Sequence, residues 1–199
     1  IMYLYLCFDK LKFLRYGGAK FPISSDTIFN DIQILDTLSL TWTQGSNVNA
    51  PIRRIDFTAT LLNNGLILYI GGSTGIPTYN TNNNSWNTTI ATATGDTVDS
   101  RSCHTAVLSP DGHVVIYGGS NPHGPINQCQ NLAVLDTTVN PYQWFIKPIT
   151  GAMYANNSFN NLSNVNSNIY LLDTRNYMWT IDTLHYPDLT ISPHNTLNT

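Results

Sequence analysis

Residues 100–120 read SRSCHTAVLSPDGHVVIYGGS. The stretch holds two apolar runs, Thr105-Ala106-Val107-Leu108 and Val114-Val115-Ile116-Tyr117. Pro110-Asp111-Gly112 lies between them, and Gly118-Gly119 closes the second. β-branched runs on either side of Asp-Gly predict a hairpin, because glycine supplies the positive φ that such a turn needs. The paired glycines carry a different message. They mark a place where another backbone or a large ring comes too close for any Cβ.

The hairpin is repeated along the chain. Moved back by 47 residues, it lies without a gap on RIDFTATLLNNGLILYIGG. Arg101 then falls on Arg54, Thr105 on Thr58, Ala106 on Ala59 and Leu108 on Leu61. Asp111-Gly112 falls on Asn64-Gly65, and Gly118-Gly119 on Gly71-Gly72. A more diverged copy is YLYLCFDKLKFLRYGG, with Asp9-Lys10 near the turn and Gly17-Gly18 as the pair. A second unit follows each hairpin. Ile34-Leu35-Asp36-Thr37 leads to Trp42, Leu171-Leu172-Asp173-Thr174 to Trp179, and Tyr79-Asn80-Thr81 to Trp86, all at one spacing. Val134-Leu135-Asp136-Thr137 reaches Trp144 two residues later. Each unit predicts a strand, a turn capped by its own Asp or Asn side chain, and a strand whose Trp fills the space between neighbouring sheets.

One period is therefore four strands in about 45 to 55 residues, the length of a propeller blade. The Gly-Gly pair, the Asp-Thr turn and the spaced Trp resemble the kelch repeat, and the resemblance covers essentially the whole chain. It implies an all-β, kelch-type β-propeller with about three and a half four-stranded antiparallel blades of an incomplete ring. The blades fall at roughly 1–46, 47–91 and 92–149, with a partial one at 150–182. These form a propeller fragment over 1–182, followed by a loose tail at 183–199. After Trp144 the expected inner hairpin and its Gly-Gly are missing. The Asn- and Ser-rich stretch 155–168 reads as a flexible surface loop. A kelch ring has roughly six or seven blades, and the chain starts at Ile1, so the sequence reads as incomplete at both ends. The end blades of such an arc should expose apolar faces.

Composition narrows the function classes. Charged residues are 11% of the chain and the net charge is −3. A pI near 5.9 gives no electrostatic case for nucleic acid or an anionic membrane. No run approaches the roughly eighteen apolar residues of a membrane span. Cys7, Cys103 and Cys129 are odd in number and show no CxxC spacing, so they read as small buried apolar residues. No histidine pair has metal-ligand spacing. His104 stands at the register of Phe57, which predicts a packed or hydrogen-bonded core position. Galactose-oxidase-like propellers hold copper with two tyrosines, two histidines and a crosslinked cysteine, and no such set can be placed here. No nucleophile elbow, phosphate loop or catalytic carboxylate pair is recognisable. No cofactor or metal is expected.

The expected function is a non-catalytic scaffold that binds another protein, or a glycan, through loops on the Gly-Gly face. Those loops are 19–30, 73–78 and 121–130, joined by 45–53 and 93–101. Arg53, Arg54, Arg101 and His123 are the candidate binding residues, since arginines on this face can hold acidic peptides. A second reading of Arg54 and Arg101 is that each repeats because it hydrogen-bonds within its own blade. Two further functional readings are a remnant of a galactose-oxidase-like copper radical oxidase and a non-functional product of a truncated gene. Asn83, Asn87, Asn156 and Asn161 head N-x-Ser/Thr sequons, which matter only in a secreted protein.

Overall fold

The computed structural model describes residues 2–9, 11–24, 27–73, 75–87, 91–120, 132–147 and 170–181. The described residues form strands and turns, with no α-helix among them. The first sheet is β1 (Met2–Asp9), β2 (Lys12–Lys20), β3 (Ile32–Asp36) and β4 (Thr41–Gln44), antiparallel in chain order. The second is β5 (Phe57–Leu61), β6 (Leu66–Gly71), β7 (Thr78–Asn80) and β8 (Ser85–Trp86), wound the same way. The third contains β10 (Ser102–Leu108), β11 (His113–Ser120), β12 (Leu132–Asp136) and β13 (Tyr142–Lys147) in the same antiparallel order. A last hairpin pairs β14 (Tyr170–Asp173) with β15 (Met178–Ile181). Contacts divide the chain into Ile1–Pro148, which holds the three sheets, and Ile149–Thr199, which holds this hairpin.

The register confirms the alignment read from the sequence. Phe57 pairs with Gly71 as His104 pairs with Gly118, and Ala59 with Tyr69 as Ala106 with Ile116. The turn signature has its expected cause. Asp36 Oδ1 accepts the Leu38 and Ser39 N–H groups, Asn80 accepts Asn82 N–H, Asp136 accepts Thr138 N–H, and Asp173 accepts Arg175 N–H. The neighbouring threonine ties the turn to the preceding hairpin. Thr37 donates to Leu11 O at 2.8 Å, Thr81 to Gly65 O at 3.0 Å and Thr137 to Gly112 O at 2.6 Å. Two residues before the Trp, the chain turns left-handed at Leu40 (φ 53°), Asn84 (φ 55°) and Tyr177 (φ 58°).

One strand departs from the expected layout. Residues 93–101 read as a loop entering the third sheet, yet Ala93–Gly95 forms β9, which lies parallel to the outer edge of β13. The chain crosses here from the outer edge of the second sheet to the inner edge of the third. On the way it satisfies the free edge of β13, and Asp96 caps the pairing by accepting Ile146 N–H at 2.7 Å. A three-residue parallel pairing leaves no alternation pattern to read.

The core lies in the two gaps between the sheets. Between the first and second sheets pack Leu14, Tyr16, Ile32, Phe57, Ile67, Tyr69, Tyr79 and Trp86. The Trp86 ring stands 4.7 Å from Tyr16, 5.0 Å from Tyr79 and 5.2 Å from Tyr69, in tilted and edge-on geometries that suit aromatic quadrupoles. Between the second and third sheets the filling is aliphatic: Leu62, Leu68, Ile70, Ile76, Val114, Ile116, Ala133 and Leu135, with Trp144 packed beside them. The expectation that every Trp is buried between sheets fails at Trp42, which is 56% exposed. Trp86 faces back onto the first sheet, whereas no sheet among the described residues covers Trp42. With Leu38 and Leu40 it makes an exposed apolar patch on the first sheet. Residues 121–131, 148–169 and 182–199 lie outside the described residues. With them lie His123, the loop at 121–130, the gap after Trp144, the stretch 155–168 and the tail.

Candidate binding face at the Gly-Gly end

The glycine pairs close β2, β6 and β11 at one end of the three sheets, and the arginines that precede β5 and β10 meet them there. Arg54 is 2% exposed and its Nη1 donates to the Gly71 carbonyl at 3.3 Å. Arg101 is 6% exposed and its Nη1 lies 3.5 Å from the Gly118 carbonyl, the same relation one sheet later. Each arginine thus ties the start of its inner strand to the glycine pair of its own sheet. The first glycines of two pairs, Gly17 and Gly71, make room for the next sheet, while Gly72 and Gly119 make room for Ile55 and Ser102 at the start of their own inner strands. A Cβ on Gly71 would stand 2.6 Å from Arg101 O and 2.5 Å from His104 Cε1, and one on Gly17 would stand 3.2 Å from Arg54 O. Close approach of another backbone, the reason inferred for the pairs, holds at Gly17, Gly71, Gly72 and Gly119 but not at Gly118, which has no atom within 4 Å.

Burial sets the electrostatics of these groups. Burial pulls Arg54 below its usual range, and the neighbouring Tyr16 works the other way. Tyr16 itself is pushed up, chiefly by burial. Its hydroxyl sits 2.6 Å from Asn30 Oδ1 and 3.2 Å from the Pro51 carbonyl, so the neutral phenol keeps a partner. Arg15 pairs with Asp31 at 2.6 Å and lies over the Phe29 ring. His104 is buried, and its Nε2 stands 2.9 Å from Thr58 Oγ1, bridging the second and third sheets. Burial, helped by the nearby Arg101, pushes its pKa down to about 4, so the imidazole is neutral at physiological pH.

The expectation of buried cysteines fails at Cys103, while Cys129 and the side chain of Cys7 lie outside the described residues. Cys103 is exposed, with φ at 57°, because His104 beside it takes the inward direction and strand neighbours alternate. Burial and then Asp56 push its thiol pKa up, which disfavours the reactive thiolate. Of the other candidates, Arg53 is exposed just before the buried Arg54. Among the described residues no group of three or more His, Cys, Asp or Glu is placed to hold a metal.

The structure adds a feature that sequence reading missed. A cleft of about 330 Å³ opens at this end between the second and third sheets. Ile70, Ile76, Ile116 and Trp144 form its apolar floor, and Ser73, Asp99, Ser100 and Arg101 stand among its polar walls. The 73–78 and 93–101 segments were expected to share a face, and here they border one opening. The cleft was illegible because Trp144 reads as a packing residue and reaches the cleft only through the arrangement of two sheets.

No protein-family model matches the chain. A stretch of 72 residues, 36% of the chain, is 36% identical to a segment of the dynein alpha chain of the flagellar outer arm from Chlamydomonas reinhardtii. The match spans 2% of that protein's length.

Proposed function

We propose that the chain is part of a kelch-type β-propeller and acts as a non-catalytic scaffold, binding a partner protein at the Gly-Gly end. The observation that carries this reading is the open cleft bordered by Ser73, Gly75 and 98–101, an apolar floor within a polar rim on a rigid sheet scaffold. Three successive sheets that share a four-strand antiparallel meander, with matching inner-hairpin register in the second and third, support the propeller assignment. Similarity to a segment of a flagellar outer-arm dynein chain points to the class of partner, a protein of such an arm. Arg54 and Arg101 act mainly as the pins that hold the face, while exposed Arg53, Asp99 and Ser100 meet the partner.

The test is affinity capture from flagellar extract with the wild-type chain and the Arg53→Glu/Ser100→Arg double variant, both changes being at exposed positions. A defined protein retained by the wild type and lost by the variant, at an unchanged unfolding midpoint, supports the reading. An identical captured set removes the Gly-Gly face from it. Copper titration with a peroxide assay on galactose addresses the oxidase alternative, and tight copper uptake with peroxide release would replace the scaffold reading.

A further inference from the structure

A second cleft, of about 320 Å³, opens between the first and second sheets. It lies at the end where the Asp36 and Asn80 turns sit, away from the glycine pairs. Its walls are polar: Lys12, Asp36, Thr43 and Gln44 from the first sheet, with Thr81 and Asn84 from the second. Its floor is Leu14, Ile34 and the Tyr79 ring.

The repeat shows that this cleft is a departure from the packing rule. Lys12 opens β2 as Leu66 opens β6, and Leu66 packs against the aliphatic core of the next gap. Where one gap carries a leucine closed over by its neighbours, the other carries an exposed ammonium group beside an open space. Among the described residues, neither the Lys12 Nζ nor the Gln44 side-chain amide makes a hydrogen bond. Asp36 Oδ1 is taken by the Leu38 and Ser39 N–H groups, the Ser39 hydroxyl adds a side-chain hydrogen bond to the carboxylate, and the Lys12 ammonium is its charge neighbour at the cleft wall. The two formal charges cancel, so a polyanion or polycation gains nothing here. Of the remaining polar groups, the Thr43 and Thr81 hydroxyls donate to the Ile34 and Gly65 carbonyls and keep lone pairs that can accept. Asn84 Oδ1 already accepts from Tyr79 and Ser46, so its amide N–H groups are the part that can donate. A floor of three apolar side chains lies beneath them. A neutral polyhydroxylated ring matches that set: its hydroxyls give and take hydrogen bonds, and its C–H face rests on the floor.

We infer that this cleft is a binding site for a neutral sugar, one or two pyranose rings held by Lys12, Asp36, Gln44 and Asn84 over Leu14 and Tyr79. The volume suits that size, at the lower end of small-molecule pockets. The site is independent of partner binding at the Gly-Gly end.

Saturation-transfer NMR and calorimetric titration of the full chain with glucose, galactose, N-acetylglucosamine and their disaccharides test it. The expected result is saturable binding of at least one of them, weakened about tenfold in Lys12→Leu and in Gln44→Ala, the loss of roughly one or two hydrogen bonds. Lys12→Leu installs the residue that the next sheet already carries, so it should fold, and partner capture at the other end should be unaffected. No saturation by any neutral sugar up to roughly 20 mM, well above the millimolar range of weak sites, overturns the inference. So does undiminished affinity in both variants, or tighter binding of glucose 6-phosphate than of glucose, which would make the site an anion site centred on Lys12.

Discussion

The two gaps between sheets share one backbone plan and are filled by different chemistry. Between the first and second sheets, Tyr16, Phe57, Tyr69, Tyr79 and Trp86 make a cage of rings with edge-on contacts. Between the second and third, branched aliphatic chains fill the space, and Trp144 stands at the side of the cluster and on the floor of a cleft. The cleft at the Gly-Gly end belongs to the aliphatic gap. The polar cleft at the turn end belongs to the aromatic one. The lesson is that the glycine pairs and turn caps set the spacing of the sheets, and the residues between them decide where space is left open.

The largest expected effect is at Trp86. Trp86→Ala removes the centre of the ring cage and should cost about 3 to 5 kcal/mol in denaturant unfolding, as for other buried large-to-small changes. Trp42→Ala, the same position one sheet earlier, should cost less than about 1 kcal/mol, because that ring is already largely in water. Comparable losses at both positions would mean that Trp42 is covered in solution.

The aliphatic gap is the one joined by a histidine, and pH should separate the two. His104 has a pKa of about 4 in the folded chain against an ordinary 6.5. As pH falls below 6.5 the unfolded chain takes up the proton first. Stability is therefore full above pH 6.5, declines between 6.5 and 4, and levels off below, with a loss of roughly 3 kcal/mol at most. His104→Phe, which copies Phe57, should flatten that part of the profile in thermal unfolding measured from pH 7 to 4.5. A variant with the wild-type slope would assign the acid loss to another group.

Glycine substitution sharpens the contrast further. Gly71→Ala must move the Arg101 carbonyl and the His104 ring and also holds a side chain at φ 89°, so a cost of about 2 to 3 kcal/mol is expected. Gly118→Ala meets nothing within 4 Å and pays only for φ at 73°, about 1 kcal/mol. Chemical denaturation resolves a difference of that size. The smallest effect is a gain. Leu40→Asn puts the residue of Asn84 into a left-handed turn that a leucine occupies at a cost, and should raise stability by about 0.5 to 1 kcal/mol.

Much of this fold was legible because its signals are local. The Asp or Asn at 36, 80, 136 and 173 caps a turn within three residues of itself, and Asp111-Gly112 or Asn64-Gly65 bends the chain on the spot. The repeat then multiplied each weak local signal. The candidate site was legible only in part. Arg54 and Arg101 stood out by their register, but whether they reach outward or back to Gly71 and Gly118 depends on side-chain direction. Asp99 and Trp144 carried no signal at all, being an exposed acid in a loop and one more repeat Trp. Lys12 was hidden for the opposite reason: it fell in the most diverged copy of the hairpin, where its match to Leu66 is easily passed over.

The sequence by itself determined the strands, their antiparallel order and the turns between them, since these follow from alternation, glycine φ and Asx caps acting over a few residues. Tertiary structure alone decided that Trp86 is buried and Trp42 exposed, that Arg54 and Arg101 are pins, that Ala93–Gly95 pairs with β13, and that two clefts stay open. Those outcomes depend on which sheet lies alongside which, and burial is a property of the pair of surfaces rather than of either residue.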